Sequence, residues 1–262
     1  MNELILYWRL VCLQTKAQLE YRGAFMLMFL AKIVGWGSEF IVVIILFSTF
    51  DSIGGWGMYD LLFIHAINIM SYSMISQFLL NPCHKMSAEV RTGTFDSLLT
   101  KPVNPFFHYV FRIFSTGYIS NITMCLAVLG VVLSRSAFEF SILNVGLLIV
   151  TLLGGAFFQG TLYILISITA FKMVKNDAVN SLIYVLRGFI AYPIHIYASP
   201  IRILLTFIVP FAFTSYYAAL YFLNHGGGMH LIFIGFLIGL FLIIFSYKCW
   251  MRALKYYEST GS

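Results

Sequence analysis

Seven long apolar segments run through the chain, and they constrain its fold more than any other feature. They extend roughly over residues 24–50, 58–80, 107–133, 142–171, 182–198, 201–223 and 229–250. A helix needs about 20 apolar residues to cross a hydrocarbon core of about 30 Å. Only 10% of the 262 residues are charged, whereas soluble domains carry about 25%. The sequence therefore predicts an all-α integral membrane protein with a single transmembrane domain, residues 1–262.

The lysines and arginines are unevenly distributed among the connectors of these segments. Most of the sixteen precede the first segment, lie in or next to residues 81–106, or stand between the fourth and fifth segments and at the end of the seventh and after it. The connectors at residues 51–57 and 224–228 contain none. Because basic residues concentrate in cytoplasmic connectors, both termini should face the cytoplasm. Membrane orientation thus accounts for the net charge of +6, and we expect no nucleic-acid partner.

Seven full crossings would leave the two termini on opposite sides of the membrane, so one segment should not cross. Prolines interrupt the apolar run after residue 192, and each removes a backbone donor from a helix. We therefore predict six membrane-spanning helices and a re-entrant helical hairpin, residues 193–228, on the outer side between spans five and six. The residues assigned to this hairpin and its flank are Tyr192, Pro193, Tyr197, Pro200, Pro210, Tyr216 and Tyr217.

Residues 1–22 combine polar and apolar side chains in a different pattern. Arg9 and Lys16 share this segment with leucines and with Tyr7 and Trp8, an aromatic pair typical of headgroup depth. The pattern predicts an amphipathic helix that lies in the membrane interface. A frayed, solvated leader is the alternative. We expect no cleaved signal peptide, because the segment has neither an uninterrupted apolar core nor a small-residue cleavage site.

The connector at residues 81–106 is rich in turn-forming residues. Its first part has the composition of a short helix, which Gly93 can end in a left-handed conformation, and Thr94 can cap a further turn. That further turn should stop before Pro102, because the residue before a proline avoids helical geometry.

The apolar residues of this turn are Phe95, Leu98 and Leu99. They predict a rigid, partly apolar knob at the cytoplasmic face, suited to docking another protein. The alternative is an ordinary interfacial turn with no partner.

Two stretches of the chain resemble the membrane subunits of ABC-2-type exporters, the ATP-binding-cassette permeases of bacteria. They read EVRTGTFDSLLTKPVNP at residues 89–105 and YPIHIYASPIRILLTFIVPFAFTSYYAALYFL at residues 192–223. The second stretch is similar to the Tyr-Pro-Ile and Tyr-Tyr-x-Ala signatures of one branch. It departs from the family at Ala218, where a proline is frequent. The resemblance covers essentially the whole chain.

The resemblance implies a permease subunit that is not an enzyme and has no catalytic residue, cofactor or metal site. The chain has no G-x-x-x-x-G-K-[ST] motif, so ATP and Mg²⁺ would bind to a separate ATPase, expected in two copies. A helix over about residues 89–99, in the coupling loop of residues 81–106, would enter a cleft of that ATPase. The residues implied in coupling are Glu89, Arg91, Gly93, Thr94, Phe95, Asp96, Leu98, Leu99, Pro102 and Pro105.

The resemblance also implies an exporter in the bacterial cell membrane, with a second permease, identical or different, completing the substrate pathway. Five polar residues inside or beside the predicted spans are candidates for lining it: Lys32, Glu39, His65, Asn68 and Arg187. Polar groups at this depth usually face the protein interior or a cavity. Their alternative roles are snorkelling of Lys32 to the interface and hydrogen bonds between helices for the others.

The scarcity of charges in the pathway favours an apolar or amphipathic substrate, such as a peptide, a drug or a lipid-like molecule. Two other functions stay open. An intramembrane enzyme is disfavoured because no H-E-x-x-H, G-x-S-G or paired acidic motif accompanies the polar residues. An ion-driven secondary transporter is disfavoured because no inverted repeat or broken midplane helix is visible.

Overall fold

The structure, a computed structural model, describes residues 3–136, 138–171, 181, 185 and 187–257. In this part of the chain the only strand-like feature is an isolated bridge between Ile53 and Trp56. The helices are α1 Glu3–Glu20, α2 Arg22–Phe47, α3 Met58–Arg91, α4 Asp96–Leu99, α5 Pro105–Arg112, α6 Ile119–Arg135, α7 Ile142–Thr169, α8 Ser199–Ile203, α9 Tyr216–Phe222 and α10 Met229–Leu254.

Five of the described helices are long and apolar enough to cross a membrane. They are α2, α3, α6 with the helical turn Thr116–Tyr118 before it, α7 and α10. A bent pair, Ser199–Phe207 and Phe211–Phe222, is a sixth candidate among the described residues. These helices confirm the prediction of an all-α membrane protein. Of the predicted fifth span, residues 182–198, residues 182–184 and 186 lie outside the described part of the chain, and the described remainder contains two short 3-10 turns, Phe189–Ala191 and Ile194–Ile196.

Helix α3 is the most buried of the long helices, and it packs against both α6 and α7. Its 34 residues extend over about 51 Å at 1.5 Å per residue, well beyond a hydrocarbon core of about 30 Å. The helix continues through Pro82, whose carbonyl oxygen accepts a hydrogen bond of 3.1 Å from the Tyr109 hydroxyl. The short helix expected before Gly93 is therefore the end of α3 and not a separate element.

The third apolar segment, predicted over residues 107–133, is divided in two. Helix α5 ends at Arg112, and the membrane-length helix begins only at Thr116. Between them the Ser115 N–H donates to the Gln77 carbonyl oxygen of α3 at 2.9 Å, so the break is held by the neighbouring helix. Hydropathy placed the start of the third span too early because the aromatic residues of α5 are apolar. This short helix ends before the span begins.

Small residues bring α7 and α10 into close contact. A Cβ atom on Gly239 would lie 2.5 Å from the carbonyl oxygen of Gly154, and a Cβ atom on Gly154 would lie 2.9 Å from the Cα of Phe236. Real Cβ atoms do not approach other atoms this closely, so only glycine fits at both positions. Close backbone approach through small residues is typical of helix pairs in membranes.

Replacing Gly239 with alanine should therefore separate α7 from α10. Overpacking of a tight contact costs about 1–3 kcal/mol, so we expect a lower unfolding temperature in detergent. Gly146→Ala in α7 is the matched control, since no atom lies within 4 Å of a Cβ atom there. A gain of up to about 1 kcal/mol is expected for the control from helix propensity. Equal unfolding temperatures for the two variants would contradict this packing.

Connectors meet at two ends of the helices. At one end the His195 Nε2 lies 2.9 Å from the Gly54 carbonyl oxygen, so the segment before α8 packs against the α2–α3 connector. The opposite end contains α4 and α5, beside the last turns of α10. We call these the hairpin end and the α4 end. The bent pair includes Tyr216, and its two helices meet at an angle of 69° at the break that contains Pro210. A broken span and a re-entrant loop both have this geometry.

Candidate functional site

The connector between α3 and α5 forms a compact turn around α4. Gly93 has a φ of +70°, which glycine adopts at no steric cost, and its N–H donates to the Val90 carbonyl. It ends α3 in the predicted conformation. The predicted cap of α4 by Thr94 is wrong, because the Thr94 hydroxyl instead donates back to the Glu89 carbonyl oxygen at 3.3 Å.

The same turn interrupts the coupling helix that was predicted over residues 89–99. Helix α3 ends at Arg91 and α4 begins at Asp96, so the segment is a helix end, a turn and a single further helical turn. The physical reason is the positive φ of Gly93, which a continuous α-helix cannot contain.

Two of the three apolar residues of the predicted knob point inward. Phe95 and Leu98 are 0% and 1% exposed, whereas Leu99 is 40% exposed. Phe95 lies at the centre of an aromatic cluster, with ring centroids 5.5–6.4 Å from those of Tyr109, Phe171, Trp250 and Tyr257. The prediction of an exposed apolar knob is therefore wrong for Phe95 and Leu98, because a one-turn helix gains stability by burying its apolar side against longer helices.

The opposite side of the turn is exposed and mostly polar. We call it the turn face and define it by Arg91, Ser97, Leu99, Thr100 and Lys101, all of which are exposed. It carries two positive charges around one exposed leucine. A surface that is fixed from behind by buried side chains and exposes both charged and apolar groups is suited to contact with another protein.

Polar contacts fasten the turn to the elements beside it. The Arg112 guanidinium of α5 donates to the Glu89 carboxylate of α3 at 2.6 Å, and the Tyr257 hydroxyl donates to the Asp96 carboxylate at 2.9 Å. Burial and this hydrogen bond raise the pKa of Tyr257 to about 12. The first contact joins the two helices that flank the turn, and the second ties α4 to the segment after α10, so the turn should move as one unit with them.

The next residues after the turn face are also fixed. Pro102 is exposed, whereas Pro105 opens α5 behind Asn104, whose side-chain oxygen accepts from the N–H groups of Phe106 and Phe107. His108 lies against this helix start, and its pKa is lowered by burial and by the positive charges of neighbouring Lys101 and Arg112. A neutral His108 can accept a hydrogen bond from the Lys101 ammonium, 3.2 Å away.

Sequence reasoning missed the residue that joins α1 to the α4 end. The Gln18 side-chain amide donates to the Phe114 carbonyl at 2.7 Å, and its oxygen accepts from both the N–H and the hydroxyl of Thr116 at 2.9 Å. These backbone groups lie at the break before α6, where no helix can satisfy them. Tyr7 adds a ring stacked on Phe111 at 5.2 Å. Helix α1 is thus a docked element, and its position in the membrane interface stays a prediction.

Replacing Gln18 with leucine should release α1 from this break. The variant loses three hydrogen bonds and leaves polar backbone groups unpaired, at a cost of about 1–3 kcal/mol. We expect faster proteolytic cleavage between α1 and α2 in the purified protein. Gln14→Leu, one turn earlier in the same helix, is the control and should be cleaved at the normal rate. Cleavage of both variants at the wild-type rate would show that Gln18 does not hold α1.

Four of the five polar candidates gather in one pocket between α2, α3 and residues 187–192. The pocket has a volume of about 250 Å³. Its lining residues are Trp36, Ser38, Glu39, Val42, His65, Asn68, Arg187, Gly188 and Tyr192. We call it the polar pocket. Lys32 is not part of it, since its ammonium lies over the Tyr118 ring, 3.1 Å from the centroid.

The charged and polar side chains of this pocket are held by different partners. The Arg187 guanidinium lies over the Tyr72 ring at 3.9 Å, and the buried Nε atom of Arg187 has no hydrogen-bond partner in the part of the chain that the structure describes. Asn68 is held from the α7 side, where the Gln159 amide donates to its side-chain oxygen at 3.3 Å. His65 Nδ1 lies 3.0 Å from the Leu61 carbonyl oxygen of its own helix. The pocket is therefore preformed on the α3 side.

The residues assigned to the hairpin occupy several environments. Tyr192 lines the polar pocket, whereas Pro193 precedes a helical turn, Pro200 stands in the first turn of α8 and Pro210 lies at the bend. The Tyr197 hydroxyl donates to the Phe189 carbonyl, and Tyr217 packs on Phe213. In the described residues no three His, Cys, Asp or Glu side chains are placed to hold a metal ion.

Sequence reasoning also missed Trp56 in the α2–α3 connector. Its ring stacks on Tyr216 at 5.4 Å and on His225 at 4.3 Å, and His225 lies 3.0 Å from the Asp60 carboxylate. Trp56 therefore joins the α2–α3 connector to α9 and to the α9–α10 connector at the hairpin end. No local pattern reveals this role, because its partners are about 160 residues away.

Comparison with protein families supports the resemblance noted in the sequence. The model of a family described as ABC-2 family transporter protein matches residues 33–261. A search of curated proteins and a search of solved structures gave no match. The family match extends over most of the chain, from α2 to the end of α10, and includes both the turn face and the polar pocket. The chain therefore belongs to the ABC-2 transporter family of membrane proteins.

Proposed function

We propose that the chain is the permease subunit of an exporter in the bacterial cell membrane, driven by ATP hydrolysis in a separate ATPase subunit. The observation that carries the proposal is how firmly the turn face is attached to neighbouring elements of the protein. An exposed surface that is only one helical turn wide is tied to α3, α5, α7 and the segment after α10 at once. A displacement of this surface by a partner would therefore be transmitted to four elements and would not be taken up by a flexible loop.

The turn face offers the chemistry for binding the ATPase. Leu99 supplies an apolar contact at its centre, and Arg91 and Lys101 supply charges that can orient the partner. Two copies of the ATPase would bind two permeases, each through its own turn face. The basic connectors at the α4 end favour a cytoplasmic position for this end, where ATP is available.

The second permease would meet this chain through α2. Its candidate span is the least buried of the five, and a row of exposed apolar residues follows its length: Met26, Leu27, Leu30, Val34, Ile41 and Ile45. The polar pocket opens beside this helix, so it would lie close to the pathway between two subunits. Either an identical or a different permease is compatible with this arrangement.

Purification of the chain from its native membrane in a mild detergent tests the proposal. We expect to recover an ATPase that contains a Walker motif, identified by mass spectrometry, together with measurable ATP hydrolysis. Any second permease in the sample defines the subunit composition. Stable recovery of this chain alone, under conditions that retain other membrane complexes, would overturn the proposed function.

A further inference from the structure

The polar pocket contains one positive and one negative side chain that form no direct ion pair with each other. Glu39 and Arg187 both line it, yet the ion pairs within 4.0 Å among the described residues are Arg112 with Glu89 and His225 with Asp60. Charged side chains without a direct ion-pair partner are costly at membrane depth. The pocket therefore presents a carboxyl group and a guanidinium, neither with a direct ion-pair partner among the described residues, to a ligand that enters it.

The aromatic side chains around these charges favour a cation and an apolar chain. Trp36 and Tyr192 line the pocket, the Arg187 guanidinium already lies over the Trp36 ring at 5.8 Å, and aromatic rings attract ammonium groups in the same way. The Arg187 guanidinium lies over the Tyr72 ring, lines the pocket and forms no ion pair within 4.0 Å with a described residue, so it can still pair with an anion there. An anion beside Arg187 and a cation beside Glu39 would satisfy both charges together.

The size and depth of the polar pocket fit the head group of an amphiphile and not a complete drug-sized molecule. Drug-sized ligands occupy about 300–1,000 Å³, whereas this pocket measures about 250 Å³. Glu39 stands eight residues before the end of α2 at Phe47, about 12 Å along the helix from the hairpin end. Val42 is 53% exposed at the rim, with Ile45 exposed next to it, so an apolar tail could leave along α2.

We propose that the polar pocket binds the zwitterionic head group of a lipid-like amphiphile, with its anion on Arg187 and its ammonium on Glu39. This inference rests on the proposed function, because it names the class of substrate that the permease would carry. Neither a purely anionic nor a purely cationic head group would satisfy both side chains.

Four twelve-carbon amphiphiles with different heads test the proposal. Dodecylphosphocholine is zwitterionic, dodecyl phosphate is anionic, dodecyltrimethylammonium is cationic and dodecyl maltoside is uncharged. Each is titrated calorimetrically, below its micellar concentration, into the purified complex held in amphipol. A charge-assisted hydrogen bond contributes about 1.5–3 kcal/mol, so the zwitterion should bind at least about tenfold more tightly than the other three.

Two charge-removing variants assign the two halves of the head group. Arg187→Gln should weaken dodecylphosphocholine at least about tenfold and leave dodecyltrimethylammonium unchanged. Glu39→Gln should weaken dodecylphosphocholine similarly and leave dodecyl phosphate unchanged or tighter. The matched controls remove exposed charges outside the pocket, Lys248→Gln and Asp51→Asn, and should bind all four amphiphiles as the wild type does.

Equal affinity for all four heads would overturn the inference, because it would show that only the tail is bound. Unchanged zwitterion affinity in both pocket variants would overturn it as well. These outcomes are separate from those of the proposed function. Binding is measured directly on the membrane chain, whereas failure of the proposed function appears as the absence of an ATPase from the purified sample, where the same titration can still be made.

Discussion

Replacing Leu98 with aspartate should unfold the α4 end of the protein. Leu98 is 1% exposed and belongs to the cluster that contains Cys83, Met86 and Trp250. The variant loses a buried apolar side chain and places an unpaired carboxylate in its position, which together cost at least about 4 kcal/mol. A loss of this size lowers the unfolding temperature of a domain this long by at least about 8–16 °C. Thermal unfolding in detergent, followed by size-exclusion chromatography, measures it.

Leu99→Asp is the matched variant, because it makes the same replacement one residue later on the exposed turn face. We expect it to fold with the wild-type unfolding temperature and to lose the ATPase during purification. The pair therefore separates a defect of folding from a defect of binding. Retention of the ATPase by a well-folded Leu99→Asp variant, and also by Arg91→Glu, would show that the partner does not bind the turn face.

Replacing Phe95 with alanine is expected to have the second largest effect. The ring is fully buried and contacts four other aromatic rings, from α5, from the segments after α7 and α10, and from α10 itself. Truncation of a buried phenylalanine costs about 3–5 kcal/mol. The unfolding temperature should fall by about 6–20 °C, because each kcal/mol corresponds to about 2–4 °C. Phe140→Ala, at a position that is 73% exposed, should change it by less than about 2 °C.

The Phe95→Ala variant also tests whether the turn transmits force. At a temperature where the variant is folded, its turn face is unchanged, so the ATPase should still bind. The link between the turn and α10 is weakened, so ATP hydrolysis should continue while export falls. Full export by a folded Phe95→Ala variant would show that the aromatic cluster is a structural feature without a role in coupling.

The features of the fold that could be predicted from the sequence alone are those that depend on local composition or on neighbouring residues. The apolar segments predicted the membrane helices because span length depends on composition. Gly93 was predictable because a left-handed residue at a helix end depends on one residue and its neighbours. The grouping of Glu39, His65 and Asn68 was foreseeable in part, because polar groups at membrane depth usually face the protein interior or a cavity.

The parts that sequence could not predict depend on contacts between distant segments. The inward orientation of Phe95 and Leu98 is set by Trp250 and its neighbours, more than 150 residues later. Gln18 looked like any polar residue of an amphipathic helix, because its partners lie 96 and 98 residues away. Lys32 was listed with Glu39 as a polar residue inside a predicted span, but the position of Tyr118 decides its contact.

The length of α3 has a mechanical consequence. This helix carries Glu89 beside the turn at one end and His65 in the polar pocket at the other, with Pro82 between them. Proline removes one hydrogen bond from the helix, so bending is easiest there. The arm from Pro82 to His65 measures about 26 Å at 1.5 Å per residue. A swing of about 5° at this pivot would move the pocket wall by about 2 Å, enough to tighten or release a head group while the helix itself remains intact.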